Sequence, residues 1–256
     1  MEDFNINNLH VSTMVQLSKI TTNINLYELA NHLSINNNIL YIEHGSIINK
    51  GINPKNKPKK NKISTKKNHF YNQVTLHVMC DKRVNVKIFN NGRIQMTGIK
   101  NENQGLKTTN ILIDEFNSIS EENKISIFDS DNIKLDGEIE TVLINSDFDI
   151  HFNIDREILH RLIVELGYYS SYEPCTYPGV NIKYYHNPKY NNFGICECEK
   201  PCNGKGKDNT CKKITIAVFK SGKIIITGGR NKENVKVAYN FITDILNENK
   251  EKIKLK

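Results

Sequence analysis

The feature that most constrains this chain is a phrase that occurs twice. Residues 89–98 read FNNGRIQMTG, and residues 219–228, which lie 130 positions later, read FKSGKIIITG. Because a long internal repeat means two copies of one structural unit, and two copies are too few for a solenoid, we predict a pseudo-dimer within one chain. The offset holds over 28 aligned positions, in which eight pairs are identical: Phe89/Phe219, Gly92/Gly222, Ile94/Ile224, Thr97/Thr227, Gly98/Gly228, Asn101/Asn231, Asn110/Asn240 and Asp114/Asp244.

Each copy of the phrase is typical of a β-hairpin followed by a helix. Apolar and polar residues alternate on both sides of an Asn-Asn-Gly turn in the first copy and of a Lys-Ser-Gly turn in the second. A helical stretch follows each hairpin, and the second stretch has a broad apolar stripe with helical spacing. The pattern predicts strand–helix–strand–strand–strand–helix in each half, with one strand before each hairpin and a strand and a helix further upstream: 9–17, 25–34, 71–78 and 102–117, then 141–152, 154–167, 177–184 and 231–250.

The repeat sets the predicted domain organisation. We expect a first repeat at 1–117, an acidic linker at 118–140 and a second repeat at 141–256. The first repeat holds a Lys-rich insert at about 50–67, which contains eight lysines and no acidic residue. Because the net charge of the chain is +7, the remaining residues have a net charge near −1. We interpret this insert as a solvated loop, as an arm that contacts phosphate, or as both.

Strand alternation separates a core face from an opposite face that is not uniformly polar. The core face holds Val84, Val86, Ile88, Ile94 and Met96 in one copy and Ile214, Ile216, Val218, Ile224 and Ile226 in the other. The opposite face has an aromatic residue at one end of each of four strands: Tyr71, Phe89, Tyr177 and Phe219. Exposed aromatic clusters mark binding surfaces, although a loop that buries these rings is the alternative.

The second half resembles the TATA-binding protein family. Residues 170–179, SSYEPCTYPG, are similar to that family's SSYEPELFPG, and residues 219–228 are similar to its FVSGKIVITG. The resemblance covers most of 140–250 strongly and about 9–117 more weakly. It implies an α+β fold in which two TATA-binding-protein-like repeats form a pseudo-twofold saddle. A single curved antiparallel sheet then has its concave face on the DNA minor groove and helices on its convex face.

The resemblance also implies which residues contact DNA. Apolar wedges that enter base steps unstack them and bend the duplex, and the family's wedge pairs match Tyr71 with Phe89 and Tyr177 with Phe219. The family's central asparagines fall on Leu9 and Leu143, so Asn7 and Asn145, on the same strand faces, are candidates to replace them. The resemblance implies base contacts for Thr97 and Thr227 and phosphate contacts for Arg93, Ser221 and Lys223. The positions that line the groove wall are Lys87, Gln95, Ala217 and Ile225.

Departures from the family pattern indicate that the two halves are unequal. Two wedge positions carry Tyr, whose hydroxyl costs desolvation when it finds no partner. Lys87 and Gln95 replace apolar groove-lining residues, whereas Ala217 and Ile225 keep that character. We therefore expect a first half more polar than the second and a weaker or altered preference for a TATA element.

The second repeat contains a cysteine-rich insert at about 190–212 that the first repeat lacks. Cys196, Cys198, Cys202 and Cys211 lie within sixteen residues of a loop that also contains Gly and Lys. Four thiolates in such a loop predict a tetrahedral zinc site, which would order a loop too short and polar to form its own core. Free thiols and disulfides are the alternatives. By resemblance, the insert occupies the loop that flanks DNA and meets transcription factor IIB.

No catalytic constellation, P-loop or dinucleotide fingerprint occurs, so we expect no enzyme activity. The favoured function is a general transcription initiation factor that binds and bends AT-rich promoter DNA as a monomer, with a transcription factor IIB-like protein and the RNA polymerase machinery as partners. The alternative is a protein-interaction scaffold that kept the fold and has weak or no sequence-specific DNA binding. The composition and the insert favour a large-DNA-virus version of the family.

The sequence also bounds the expected location. No run of about 18 apolar residues occurs, and MEDFNINNLH at the amino terminus lacks the regions of a signal peptide. We expect an intracellular protein without membrane association, in which structural disulfides are disfavoured. Its place would be the site of transcription, in a nucleus or a cytoplasmic viral factory.

Overall fold

The computed structural model of the protein describes residues 9–52, 70–189, 194–199, 202–206 and 210–255. Contacts divide the chain into two compact units. The first unit is Met14–Thr141, and the second joins the residues up to Thr13 with Val142–Lys256. Each unit is described by itself below.

The first unit is an antiparallel sheet with helices on one face. From one edge to the other, its strands follow the order β3-β2-β4-β5-β6-β1. Strand β1 begins before the unit boundary and continues into this unit. The elements are β1 His10–Lys19, α1 Leu26–His32, β2 Ile39–His44, β3 Ile48–Gly51, β4 Val74–Cys80, β5 Lys82–Ile88, β6 Arg93–Ile99, α2 Glu102–Asn117 and α3 Glu121–Ile127.

The second unit repeats this arrangement with a shorter outer edge. Its strands follow the order β7-β11-β10-β9-β8, and helix α5 packs on β9, β10 and β11. The elements are β7 Glu140–Asp149, α4 Arg156–Glu165, β8 Tyr169–Ser171, β9 Val180–His186, β10 Lys212–Val218, β11 Lys223–Gly229, α5 Lys232–Glu248 and α6 Lys250–Ile253.

The two predicted hairpins are confirmed, together with their core faces. Lys87 pairs with Gln95 across β5 and β6, and Ala217 pairs with Ile225 across β10 and β11. All ten residues predicted to face the core are fully buried. The helix after each hairpin starts where the repeated asparagine stands, because Asn101 and Asn231 each accept a hydrogen bond from a backbone N–H of the first helical turn.

The acidic segment 118–140 differs from the predicted linker. It contains α3, and its apolar residues Ile127, Phe128 and Ile133 are buried in the first unit. The Phe128 ring lies 5.5 Å from the ring of Phe116 at the end of α2. Acidic residues are frequent in this segment, but its apolar positions are enough to pack it against α2.

The turn of the second repeated phrase depends on a glycine. Gly222 has φ +85°, and a Cβ there would lie 2.4 Å from the carbonyl oxygen of Phe152. The substitution Gly222→Ala should therefore lower the free energy of unfolding by about 2–4 kcal/mol, since it adds a backbone clash to left-handed strain.

Gly167→Ala is the matched control for this prediction. Gly167 has φ +83° in the same unit, but nothing lies within 4 Å of its would-be Cβ. Only the conformational cost of about 1–2 kcal/mol applies there. Urea denaturation of both variants measures the difference, and equal losses would show that the clash does not contribute.

Candidate nucleic-acid interface

In each unit, the sheet has a helix-free side, which we call the open face. In the first unit it includes Lys87 of β5 and its partner Gln95 of β6, together with Arg93 and Thr97, which lie on either side of Gln95 in β6. Lys87, Gln95 and Thr97 are half-buried and Arg93 is exposed. The structure therefore places these four predicted contacts on one surface.

The open face of the second unit contains the matching positions. Ile225 and Thr227 of β11 are half-buried, and Lys223 is exposed at the start of that strand. Ser221 is exposed in the hairpin turn. Ala217 also lies on this face, but its small side chain is only 4% exposed between its neighbours.

Two aromatic rings meet on the open face of the second unit. The ring centroids of Tyr177 and Phe219 are 5.8 Å apart and their planes are inclined by 62°. A glycine makes room for them, because a Cβ on Gly179 would lie 3.0 Å from the Tyr177 ring and 3.2 Å from the Phe219 ring. Tyr177 remains 40% exposed, so the predicted pair forms a projecting apolar edge.

The corresponding tyrosine of the first unit has different partners. Tyr71 packs over Gly45, where a Cβ would lie 2.4 Å from its ring. Its hydroxyl shares a 2.9 Å hydrogen bond with the hydroxyl of Ser46, and its ring meets that of His44 edge-on at 6.4 Å. Among the described aromatic contacts none joins Tyr71 to Phe89, so the first unit does not repeat the ring pair. Gly45 and Ser46 belong to the β2–β3 turn, an element that the alternation pattern does not predict.

The outer part of the first open face is closed. The rings of Tyr41 and His77, on paired strands β2 and β4, lie 4.9 Å apart. They are only 1% and 4% exposed, respectively. This part of the predicted surface is therefore unavailable to a ligand, and the accessible first half is narrower than strand alternation indicated.

The strand register shows that the offset of 130 residues also relates β1 to β7. Thr97 faces Val15 on β1, whereas Thr227 faces Asn145 on β7. The Thr227 hydroxyl donates a hydrogen bond to the side-chain oxygen of Asn145. Asn145 therefore lies on the open face as predicted, and its counterpart is Val15. Asn7 lies outside the described residues.

The same register places two carboxylates on the second open face. Asp147 faces Ile225, and Asp149 faces Lys223. Asp147 lies 3.5 Å from Nδ1 of His10 and 3.9 Å from Nζ of Lys223. The equivalent positions of β1 are Leu17 and Lys19. The expectation of a more polar first half rested on the two hairpin strands alone, and β7 brings negative charge to the second half.

Three comparisons with known proteins agree with this arrangement. Residues 138–249 match the family model described as transcription factor TFIID, or TATA-binding protein. By these residues, the second half of the chain is similar to the TATA-binding protein family. A TATA-box-binding protein-like sequence of Acanthamoeba polyphaga mimivirus is 32% identical over 222 residues, covering 77% of this chain and 52% of that protein. The chain thus spans about half the length of this viral relative.

The fold of the TATA-binding protein family is also confirmed by a solved structure. The Methanococcus jannaschii TATA-binding protein superposes with a TM-score of 0.54 at 19% identity, covering 94% of this chain and 99% of that one. The similarity at this identity concerns the fold, which is the predicted α+β class built on antiparallel strands. No helix among the described residues is long and apolar enough to cross a membrane.

Within the matched TATA-binding protein region, the predicted cysteine cluster comes together. The sulfur atoms of Cys196, Cys198, Cys202 and Cys211 all lie within 4.8 Å of one another. Sγ of Cys211 lies 3.5 Å from that of Cys198 and 3.8 Å from that of Cys196. A tetrahedral metal with metal–sulfur bonds of about 2.3 Å requires sulfur atoms about 3.8 Å apart. The four thiols therefore have the spacing of a metal site.

Glycine turns fold this cysteine loop back onto β9 and β10. Gly204 and Gly206 have φ of +69° and +65°. The N–H of Lys213 donates to the carbonyl of Gly204, and the N–H of Gly206 donates to the carbonyl of Cys211, both at 2.9 Å. The loop thus continues the β9–β10 hairpin and positions Cys211 at the start of β10.

The thiols of the loop are electrostatically unequal. Burial raises the pKa of the Cys211 thiol, and the neighbouring side chains of Cys198 and Cys196 add to the rise. Burial acts to raise the pKa of Cys202, but hydrogen bonds with the backbone of Gly204 and Cys211 and with the side chains of Cys198 and Cys196 together outweigh it and lower the pKa. The N–H of Gly204 lies 3.4 Å from the Cys202 sulfur. Hydrogen bonds of this kind stabilise a metal-bound thiolate.

Proposed function

We propose that this chain is a TATA-binding-protein-like transcription initiation factor that binds and bends AT-rich promoter DNA through the minor groove. The observation that supports this best is the Tyr177–Phe219 ring pair, which projects from the open face of the region that matches the family. Proteins that open a minor groove insert apolar side chains between base steps. The function is recognition, and it requires no catalytic group.

Each group of open-face residues has a part in this proposal. Tyr177 and Phe219 form the wedge of the second half. Phe89 serves the first half, in which Tyr71 is held by the β2–β3 turn instead of forming a ring pair with Phe89. Arg93, Ser221 and Lys223 contact phosphates, which add affinity without reading sequence. The bases and groove walls are contacted by the remaining open-face residues: Thr97, Thr227, Lys87, Gln95, Ala217, Ile225 and Asn145. Asn7, which lies outside the described residues, is proposed to contact bases as well.

The cysteine loop holds zinc in this proposal. Cys196, Cys198, Cys202 and Cys211 supply four thiolates, the ligand set of a closed structural zinc site. The metal would supply folding free energy to a loop that has little core of its own. The partners proposed for the DNA-bound monomer are a transcription factor IIB-like protein and the RNA polymerase machinery, at the site of transcription in the nucleus or in a viral factory.

One observation favours a second candidate function. Asp147 and Asp149 place carboxylates on the open face, and negative charge on that surface opposes DNA phosphates. A protein-interaction scaffold that kept the fold and lost most DNA binding would tolerate such residues. The two functions differ in their salt dependence, because displacement of counterions from DNA makes binding weaken steeply with salt.

Competition between duplexes tests the proposed function. A duplex with a TATA element and one with the same bases scrambled are titrated at several salt concentrations. We expect binding that weakens as salt rises and a preference for the TATA duplex of about 3- to 30-fold, below the specificity ratios of about 1000-fold or more found for ordinary specific DNA-binding proteins. Absence of salt-dependent binding would favour the scaffold, and full discrimination would contradict the expected weakening.

A further inference from the structure

The carboxylate of Asp147 is the most unusual group on the open face. Its neighbours in sequence, Ser146 and Phe148, point into the core and are 0% and 5% exposed. Asp147 itself faces Ile225 across the β7–β11 pair. The side chain is therefore on the surface that is proposed to enter the minor groove.

Two basic side chains lie beside this carboxylate. Nδ1 of His10 lies 3.5 Å from one carboxylate oxygen, and Nζ of Lys223 lies 3.9 Å from the other. The Asp147 side chain is 25% exposed, whereas that of Lys223 is 57% exposed. A partly buried acceptor, flanked by the His10 ring and the Lys223 ammonium, thus remains open to a further donor from outside.

The first unit has no such group. The position equivalent to Asp147 is Leu17, which faces Gln95 as Asp147 faces Ile225. The difference between the halves at this position is therefore a change from an apolar side chain to one that only accepts hydrogen bonds.

The base edges of the minor groove present one hydrogen-bond donor that can pair with an acceptor such as Asp147. A·T and T·A pairs present only acceptors there, while a G·C pair adds the 2-amino donor of guanine. An ionised carboxylate next to A·T acceptors is unfavourable, and next to the guanine amino group it can form a charge-assisted hydrogen bond.

We propose that Asp147 makes the second half of the interface prefer a G·C pair by accepting a hydrogen bond from the guanine 2-amino group. This inference rests on the proposed minor-groove function and adds to it a specificity determinant. The two halves of the interface then recognise different base pairs. The second half prefers a G·C pair at the position of Asp147, and the first half accepts only A·T pairs at the position of Leu17.

Selection from a random duplex pool, followed by inosine substitution, tests the inference. Inosine lacks only the 2-amino group, so an I·C pair presents the acceptors of A·T in the minor groove. We expect the selected sites to contain one G·C pair in one half, and replacement of that guanine by inosine to weaken binding by about tenfold, the usual effect of one mismatched position.

Three variants separate the carboxylate from general charge effects. Asp147→Leu copies Leu17 and should remove the difference between the guanine and inosine duplexes. Asp149→Asn removes a charge from the same strand and face and should keep that difference. Asp147→Asn keeps the size of the side chain and should reduce the difference several-fold, which covers the case in which Asp147→Leu does not fold.

The outcomes distinguish this inference from the proposed function. If the wild-type protein binds and bends duplex DNA but selects no G·C pair, or if inosine and guanine bind equally, only the role of Asp147 is overturned. If Asp147→Leu keeps the preference, another residue reads the amino group and the inference is also wrong. A wild-type protein without salt-dependent duplex binding overturns the proposed function and the inference together.

Discussion

Replacing Phe219 by Ala should remove most of the bend that the protein imposes on AT-rich duplex DNA. The Phe219 ring meets Tyr177 at 5.8 Å on the open face, and loss of one member leaves the other without its neighbour. Unstacking a base step costs a few kcal/mol, which an inserted wedge must offset. We therefore expect affinity to fall about 10- to 100-fold. The bend is measured by energy transfer between dyes at the two duplex ends.

Tyr169→Ala is the matched control for the Phe219 variant. Tyr169 is 59% exposed on the outermost strand of the same sheet, where it pairs with Lys183 and has no described ring partner. Its removal should leave the bend unchanged and reduce affinity by less than about threefold. A Phe219→Ala protein that is folded and bends DNA as the wild type does would contradict the wedge role. Phe89→Ala should have a smaller effect, since the first unit lacks the ring pair.

The elements with strict alternation were the ones that could be predicted from the sequence. The alternation of apolar residues and the repeated Gly turn determine the strand register of both hairpins, because a shift of one residue would expose every core side chain. Strands β2, β3 and β8 were missed, since they are short and their burial comes from neighbours that are distant in sequence. Segment 118–140 looked like a linker because composition hides a few buried residues such as Phe128.

The candidate site was predictable only where both copies share a motif. Phe219 and Thr227 follow from the repeated phrase and lie on the open face, and their contacts with DNA stay a prediction. Asp147 could not be assigned without the β7–β11 register, because the sequence alone matched Leu9 with Leu143. The hydrogen bond between Ser46 and Tyr71 could not be predicted, because the sequence pattern does not indicate the β2–β3 hairpin that contains Ser46. Side chains that depend on pairing between distant strands are set by tertiary structure rather than by local pattern.

Removal of the proposed metal should unfold the cysteine loop while leaving the rest of the second unit folded. Protein purified under reducing conditions should contain one zinc ion per chain. Cys211→Ser should abolish tight binding, because Cys211 is fully buried at the start of β10 and its sulfur approaches two of the other ligands. Loss of one of four thiolates should lower metal affinity by at least about 100-fold. Cys175→Ser is the matched control, since Cys175 is exposed and outside the cluster.

Hydrogen exchange gives this prediction a local readout. The N–H groups of Gly206, Lys213 and Tyr185 donate to loop carbonyls, those of Cys211, Gly204 and Gly194 respectively, at 2.9 Å. They should be protected in the metal-bound protein and exchange rapidly after chelation, whereas amides in the middle of β10 keep their protection. Metal-free protein with the same protection at these three sites would show that the loop is ordered by packing alone.

The pH dependence of metal binding has a defined sign. Burial raises the pKa of the Cys211 thiol above its ordinary value, so the metal-free loop carries a proton there at neutral pH. Metal binding must release that proton, and affinity should therefore rise with pH and fall as the solution becomes acidic. Zinc competition with a chelator at several pH values measures this. An affinity independent of pH would mean that no thiol is deprotonated on binding, and absence of zinc from the reduced protein would exclude the metal site.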